Sequence, residues 1–319
     1  MPAKLMATFC TYNRAQRLPG LISQLRAQVC PYPFEILIID NNSSDETPEV
    51  LAELTAQDGA ALRFVRETQQ GIPYARNRAI EECLASGVDY MLFMDDDELP
   101  GEGLLAGAVD ALEREGAECA GGRVEIRFAP GQRPKWLSDE LLGFLAEIDH
   151  GPEALWVKDR STPLWTANVA YRMEIFARDP ELRFDHRYNR LGHAVGGGSD
   201  AIMFRAMVDR GIRIRYRPDM VVEHYVDDWR LKRRYFLKLH FIAGRKYGQF
   251  ESGDFPRTVL GVPLFMVAQA GGQWLKAAGM FLRRKHGVLR QAMNGMHATG
   301  MMWGRFLRFR DQRRGSGAG

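Results

Sequence analysis

In the first third of the chain, short apolar runs alternate with stretches whose apolar residues recur every three or four positions. Leu5 to Cys10 reads as a strand, and Leu18, Leu21, Ile22, Leu25 and Val29 follow at helical spacing. Phe34 to Ile39 is a second strand pattern, and Pro48 stands early in the helix expected after it. Leu62 to Val65 is a third, followed by Ile72, Ala75, Ala79, Ile80 and Cys83 at helical spacing, and Tyr90 to Met94 is a fourth. Runs this short and this apolar suit strands buried on both faces, so the repeat predicts a parallel, right-handed, doubly wound sheet. Between Ala129 and Pro163 the pattern stops, and Trp136, Leu141, Leu142, Phe144, Leu145 and Trp156 lie among polar residues. This stretch reads as an insert with helical content around Ser138 to Ile148. A further strand is expected over Ile212 to Tyr216.

Polar residues collect where the strand patterns end: Thr11, Asn13 and Arg14 after the first, Asp40 and Asn41 after the second, and Asp95-Asp96-Asp97 after the fourth. In open α/β sheets ligands gather at these carboxyl ends. Three adjacent carboxylates repel one another unless protons or a cation neutralise them, and oxygen ligation suits Mg²⁺ or Mn²⁺ bridging to substrate phosphates. In isolation the same triplet could be a solvated acidic loop. The chain has neither a GxGxxG after the first strand nor a GxxxxGK[ST] anywhere, so a diphosphate would be held mainly by metal.

Charge divides the chain. Its formal net charge of +3 hides 18 Lys and Arg against Glu251, Asp254 and Asp311 from residue 230 onward, a net of +15, while the remainder nets −12. Leu231 to Lys246 mixes basic and apolar residues, Phe255 to Leu282 is largely apolar, Arg283-Arg284-Lys285 closes it, and Met293 to Arg314 repeats the mixture. Pro263, Gly271-Gly272 and the Gln and Lys positions argue against a span. A pair of amphipathic helices in the headgroup region of an anionic membrane is expected across residues 230–314, with a globular helical cap bearing a solvated basic face as the alternative. No signature of a nucleic-acid-binding module accompanies the basic residues, so no nucleic-acid partner is expected. Cys10, Cys30, Cys83 and Cys119 form no CxxC pair and read as small apolar residues of a reducing compartment. With no signal-peptide pattern at the start, the chain is expected to be cytoplasmic and peripheral at the inner face of the cell membrane.

The motifs Thr8-Phe-Cys-Thr-Tyr-Asn-Arg14, Ile38-Ile-Asp-Asn-Asn-Ser-Ser-Asp45, Gly71-Ile-Pro-Tyr-Ala-Arg-Asn77, Met94-Asp-Asp-Asp97, Thr166-Ala-Asn-Val-Ala-Tyr-Arg172 and Gly197-Gly-Ser-Asp200 occur in one order across roughly residues 4–225. Together they resemble the inverting glycosyltransferases of family 2. The resemblance implies a GT-A fold, Rossmann-like with a mainly parallel sheet flanked by helices, over residues 1–228. Residues 1–100 would form its nucleotide-binding half and 101–228 its acceptor half with the insert 129–163, leaving 229–319 as a basic, amphipathic helical region.

The resemblance also implies roles. The turn from Thr11 to Arg14 and the pair Asp40-Asn41 would hold base and ribose, with Arg76 and Asn77 near ribose or diphosphate. Asp95 and Asp96 would face nucleotide and sugar, and Asp97 would bind metal, assisted by Asp95 and by His224, which matches a histidine reaching metal or diphosphate in related enzymes. Asp200 would be the general base that takes the acceptor proton. Trp165 and Asn168 would line the sugar pocket. Read residue by residue, Asn13 could equally cap a helix, Asp200 could be a first-turn acid, His224 an ordinary hydrogen-bonded histidine and Trp165 a core aromatic. Two positions depart from the family pattern: Asn41 replaces a frequent second Asp, loosening base selectivity, and Ser199 replaces a usual Glu. The activity implied is metal-dependent transfer of a sugar from a nucleoside-diphosphate sugar, UDP first, to a glycan, glycolipid or lipid-linked acceptor in cell-envelope polysaccharide synthesis. The rivals are a nucleotidyltransferase, whose glycine- and lysine-rich phosphate loop is missing from Thr11 to Leu18, and a non-catalytic membrane-associated scaffold, which the intact Asp97 and Asp200 oppose. The absence of a QxxRW motif and of multiple spans sets aside a processive polymerase.

Overall fold

The apolar runs that open the chain become its parallel core. In the computed structural model, which describes residues 4–189 and 197–315, β1 (Leu5–Thr11), β2 (Phe34–Asp40), β3 (Leu62–Arg66) and β4 (Tyr90–Met94) lie side by side in the order β3-β2-β1-β4, all parallel. The crossovers are α1 (Leu18–Arg26), α2 (Thr47–Thr55) and α3 (Ile72–Ala85), each with a proline in its first turn, where the missing N–H has no helical partner to lose. Leu5, Met6, Ala7, Phe9, Ile36 to Ile39 and Met91 to Met94 are all buried, as expected of strands covered on both faces.

Past β4 the sheet departs from the expected parallel pattern. β5 (Glu98–Pro100), α4 (Leu104–Glu113), β6 (Cys119–Arg127), β7 (Leu155–Trp156), β8 (Asn168–Arg172), α5 (Glu174–Arg178), α6 (Ser199–Asp209) and β9 (Ile214–Tyr225) complete this part. β8 inserts between β4 and β6, antiparallel to both; β6 and β9 pair in parallel, and β5 and β7 run antiparallel to β9. The sheet is therefore mixed and mostly parallel, because a short apolar run records burial and not direction. The strand expected to end at Tyr216 continues to Tyr225. Its register against β6 shifts between Gly122 and Arg123, where residues 218–220, including Pro218, form a bulge. A Cβ on Gly122 would lie 1.9 Å from the Met220 carbonyl oxygen, so this crossing requires glycine. The insert contributes a 3₁₀ turn, Asp139–Leu145, inside the stretch expected to be helical.

The described residues divide into two compact units, one holding those up to 189 together with 198–226, the other holding 197 and 227–315. The second contains α7 (Arg233–Lys246) with a π-turn after it, a hairpin of β10 (Thr258–Val259) and β11 (Val262–Pro263), α8 (Leu264–Leu282) and α9 (Val288–Gly315). α7 and α9 meet backbone to backbone: a Cβ on Gly244 would sit 2.0 Å from the His297 carbonyl oxygen, and one on Gly300 2.1 Å from that of Phe241. Among the described residues no helix is long and apolar enough to cross a membrane. All four cysteines are free.

Candidate active site

The ends of β1 and β2 are tied together by their own polar side chains. Thr11 stands opposite Asp40 in the parallel register, and the Asn41 N–H donates to the Thr11 carbonyl at 2.8 Å. Asn13, at a φ of 52°, accepts from the Ser44 N–H at 2.9 Å, while its own N–H donates to Ser43 Oγ at 2.9 Å. It does not cap α1, whose N-cap is Arg17; it joins the two loops. The Arg14 N–H donates to Thr47 Oγ1 at 3.0 Å. Asn41 accepts from the Gly71 N–H at 2.8 Å and donates to the Gln69 carbonyl at 3.0 Å. An aspartate could not make the second bond, which gives this departure from the family pattern a local structural reason. Asp40 is completely buried; its Oδ1 accepts from the Ser43 N–H at 3.0 Å, and its Oδ2 has no partner among the described residues. A buried oxygen left unmatched costs about 1–3 kcal/mol, and a ligand hydroxyl or N–H would relieve that cost.

The acidic triplet occupies the short link between β4 and β5. Asp96 Oδ2 accepts from Thr11 Oγ1 at 2.8 Å, and the Asp97 carbonyl accepts from the Tyr225 N–H, which fixes the link to β9. Beneath it lies Glu98, its side chain wholly out of water, accepting from the Asp95 N–H at 2.8 Å. His224 sits within β9, in register with Glu98, and its Nδ1 faces Asp97 Oδ1 at 3.3 Å and Glu98 Oε1 at 3.7 Å. Burial, then the neighbouring charge of Asp97, pushes Asp96 up to about 7. Burial raises Asp95 as well, with Asp97 and Asp200 adding to the rise and Arg76 opposing it. Glu98 rises well above the carboxylate range through burial and the charges of Asp95 and Asp97. The cluster thus carries more negative charge than its surroundings compensate.

One buried cation spans the gap to the far side of the cleft. Arg76, 5% exposed on the first turns of α3, donates to Asp95 Oδ1 at 3.1 Å and to Asp200 Oδ1, and lies 5.4 Å from the Phe184 ring. Asp200 stands in the first turn of α6, where its neighbour Ser199 also donates to Oδ1, at 3.1 Å. Both bonds end on the same oxygen, Oδ1. Gly196, the first member of the expected glycine run, lies outside the described residues; Gly198 follows at a φ of 100° and leads into α6.

Not every expected residue turns its polar atoms to this cleft. Asn77 accepts from the Phe184 N–H at 2.8 Å and donates to the Phe184 carbonyl at 3.0 Å, clasping that segment onto α3 instead of facing a diphosphate. Asn168 is fully buried and donates to the carbonyls of Arg123 and Met220 at 2.8 and 2.9 Å, which ties β8 to its neighbours and leaves no amide N–H for a sugar. Trp165 is half-buried against the core. Two features went unread in the sequence. Glu98 directly follows the triplet and could have been counted with it; the Arg76–Asp200 pair joins residues far apart in the chain, and no local signal announces it.

Among the described residues no three metal-ligating side chains converge as a ready-made centre. Asp97 Oδ1 and His224 Nδ1, 3.3 Å apart, are an oxygen and nitrogen pair that would hold a divalent ion between them.

Residues 8–193, more than half of the chain, match the family described as Glycosyl transferase family 2. Glycosyltransferase AglE of Haloferax volcanii is 31% identical over 215 residues, which cover 67% of this chain and 64% of that protein. Succinoglycan biosynthesis protein ExoM of Rhizobium meliloti is 23% identical over 242 residues, 75% of this chain and 72% of that one. Among solved structures, the mannosyltransferase PcManGT of Pyrobaculum calidifontis in complex with GDP-Man and Mn²⁺ superposes with a TM-score of 0.59 at 18% identity, covering 94% of this chain and 87% of that one. S. aureus TarS 1-349 in complex with UDP gives 0.51 at 16% identity, covering 98% and 92%. These likenesses identify the fold as GT-A.

Proposed function

The chain belongs to glycosyltransferase family 2, and from that premise we propose that it transfers a sugar with inversion from a UDP-sugar to a hydroxyl of a glycan, glycolipid or lipid-linked acceptor. The observation that carries this reading is the under-compensated acidic cluster at the ends of β1 and β4, with Asp200 held across from it by Arg76. In the reaction the acceptor oxygen forms a bond to the anomeric carbon, the bond from that carbon to the diphosphate breaks, and its electron pair leaves with the nucleoside diphosphate. Asp200 Oδ2 takes the acceptor proton while Arg76 and Ser199 hold the other oxygen in place. One displacement gives inversion. Asp40 and the turn from Thr11 to Arg14 take ribose and base, with the unmatched Asp40 Oδ2 as the acceptor for a ribose or base donor. Asp97 and His224, with Asp95 beside them, would hold Mg²⁺ or Mn²⁺, which when bound offsets the charge of the departing diphosphate.

Support for the donor comes from the GDP-Man and UDP complexes that share the fold, and a panel of nucleotides decides between them. The name of the ExoM relative supports a glycan acceptor. The basic second unit would bring the enzyme to an anionic membrane surface at the inner face of the cell membrane. The test is thermal unfolding of the purified chain with UDP, GDP and their sugars, with and without Mn²⁺. A nucleotide at a hundred times its Kd should stabilise the fold by about 2.7 kcal/mol. Stabilisation that needs metal and disappears in Asp97→Asn supports the reading; no shift with any nucleotide, with or without metal, overturns it.

A further inference from the structure

α8 is built inside out for a helix in water. It buries Met266, Ala270 and Ala277, and Trp274 Nε1 and the Gln273 side chain bond to Thr299 and Gln291 of α9. On the opposite side Leu264, Ala268, Gly271, Leu275, Ala278 and Leu282 recur at steps of three and four, and all six are exposed. Leu264 is 65%, Leu275 76% and Leu282 81% exposed, so all three leucines of the helix face outward. The 19-residue helix lays this face along about 28 Å without a polar side chain in it. The hairpin leading into α8 extends the pattern: Val259 and Leu260 are 60% and 58% exposed, and the buried Arg305 donates to the Gly261 carbonyl at 3.1 Å and holds the turn in place. Solvent-facing apolar surface of this extent is rare on a monomeric protein and marks an interaction site.

Charge identifies the occupant. The outward face ends at Arg283-Arg284-Lys285, Lys276 lies on its flank, and Arg257 precedes the hairpin, within a region that nets +15. Two copies of such a surface repel, whereas anionic lipid headgroups neutralise it and acyl chains take the leucines. α7 and α9, by contrast, have turned their glycine faces to one another. Where the sequence suggests a pair of amphipathic helices, the region holds three, with α7 and α9 packed on each other and α8 keeping an exposed apolar face.

We propose that the outward face of α8 and the Val259-Leu260 hairpin tip form the surface by which this chain lies in the headgroup region of an anionic bilayer. The proposal deepens the membrane reading above and rests on it. Binding of the full chain to phosphatidylcholine vesicles, with and without phosphatidylglycerol, is measured by sedimentation, together with its oligomeric state and its nucleotide-dependent unfolding midpoint. Wild type should bind the anionic vesicles preferentially, and Leu264→Glu/Leu275→Glu/Leu282→Glu should weaken that binding on the order of a hundredfold or more. Arg283→Gln/Arg284→Gln/Lys285→Gln should weaken it on the order of a hundredfold, and added salt should mimic that loss. All six side chains are solvent-exposed, so the nucleotide response should be unchanged. If the triple glutamate variant fails to fold, Leu275→Glu alone reads the centre of the face, with about a tenfold loss.

Vesicle binding that survives the leucine substitutions overturns the assignment to α8, and absence of wild-type binding overturns the membrane surface altogether. A wild-type dimer that the leucine variant breaks, with vesicle binding retained, would assign the face to a second copy and overturn the proposal. A wild type that binds nucleotide but not vesicles leaves the transferase reading standing, and one that binds vesicles but no nucleotide does the reverse.

Discussion

Two clusters of charged side chains lie toward opposite ends of β9, and they are built on opposite principles. Near its start, Arg217, 13% exposed, bonds Asp110 at 2.7 Å, Glu115 at 2.6 Å and Asp219 at 2.7 Å, and Arg215 pairs with the same Glu115. Acids and bases there satisfy one another, and Asp219 is drawn below the usual carboxylate range, first by its hydrogen bonds from Arg217. Near its end, Asp95, Asp96, Asp97 and Glu98 crowd beside His224, Arg76 bonds one of them, and Asp95, Asp96 and Glu98 are pushed upward. The first cluster is complete without a ligand. The second holds electrostatic repulsion that a cation or a cationic partner would relieve, and such a site stands out by its imbalance more than by its number of charges.

The largest effect should fall on chemistry and leave the fold alone. Asp200→Asn removes the proposed proton acceptor but keeps a side chain that Arg76 and Ser199 can still contact, so transfer should drop on the order of a thousandfold, about 4 kcal/mol in barrier. Nucleotide-induced stabilisation should be retained, and single-turnover transfer beside a thermal-shift titration reads both. A variant that transferred sugar at the wild-type rate would take Asp200 out of the chemistry and leave the acidic end of β9 to be tested alone. Asp97→Asn sharpens the comparison from the other side: removing one charge from a repelling group should raise the metal-free unfolding midpoint slightly while donor turnover is lost, the usual trade between stability and function.

The balanced cluster should respond the other way. Arg217→Met leaves Asp219 without its cation and takes one of two cations each from Asp110 and Glu115, which keep Arg114 and Arg215, and with these partners partly open to water the cost should be about 1–2 kcal/mol, visible as a lower denaturation midpoint at an unchanged m-value. Donor affinity and turnover should stay at wild-type levels, as read by the same titrations. A loss of activity without loss of stability would show that the compensated network reaches the cleft after all.

This contrast explains which parts of the molecule were legible beforehand. β1 to β4 could be read because their runs are buried on both faces and nothing else suits so much unbroken apolarity. The triplet was visible because it ends such a run. Direction and pairing were not: β8 has the same apolar look as its neighbours yet runs against β4 and β6, and β9 passes a proline through a bulge that only the opposing Gly122 explains. Within the site, residue types were readable and partners were not. Asn13 and Asn77 suit a ligand and a backbone equally well, and the backbone has engaged both. Arg76 meets Asp200 only because α3 and α6 approach one cleft, and no spacing along the chain encodes that.

The smallest effect, and the sharpest separation of the two clusters, is in pH. A carboxyl whose folded pKa is raised binds its proton more tightly in the folded state, so its stabilising contribution is complete below the unfolded value near 4 and is lost as pH rises through the folded one. Asp96, raised to about 7, should therefore make the chelator-treated protein lose stability as pH rises from about 4 to about 7, by roughly 1 kcal/mol after allowance for its partial exposure. A divalent ion should flatten that limb, since it takes over the work of the proton. Asp219 has the opposite sign: lowered in the folded state, it stabilises above the unfolded value, and this contribution disappears as pH falls below about 4. Unfolding midpoints across pH, with chelator and with Mn²⁺, should thus show two limbs. Arg217→Met should shrink the acidic one, to which lowered carboxylates elsewhere such as Glu82 and Glu118 also contribute, and Asp97→Asn should shrink the neutral one; a neutral limb indifferent to both metal and Asp97 would mean that the crowded carboxylates are settled by their own protons alone.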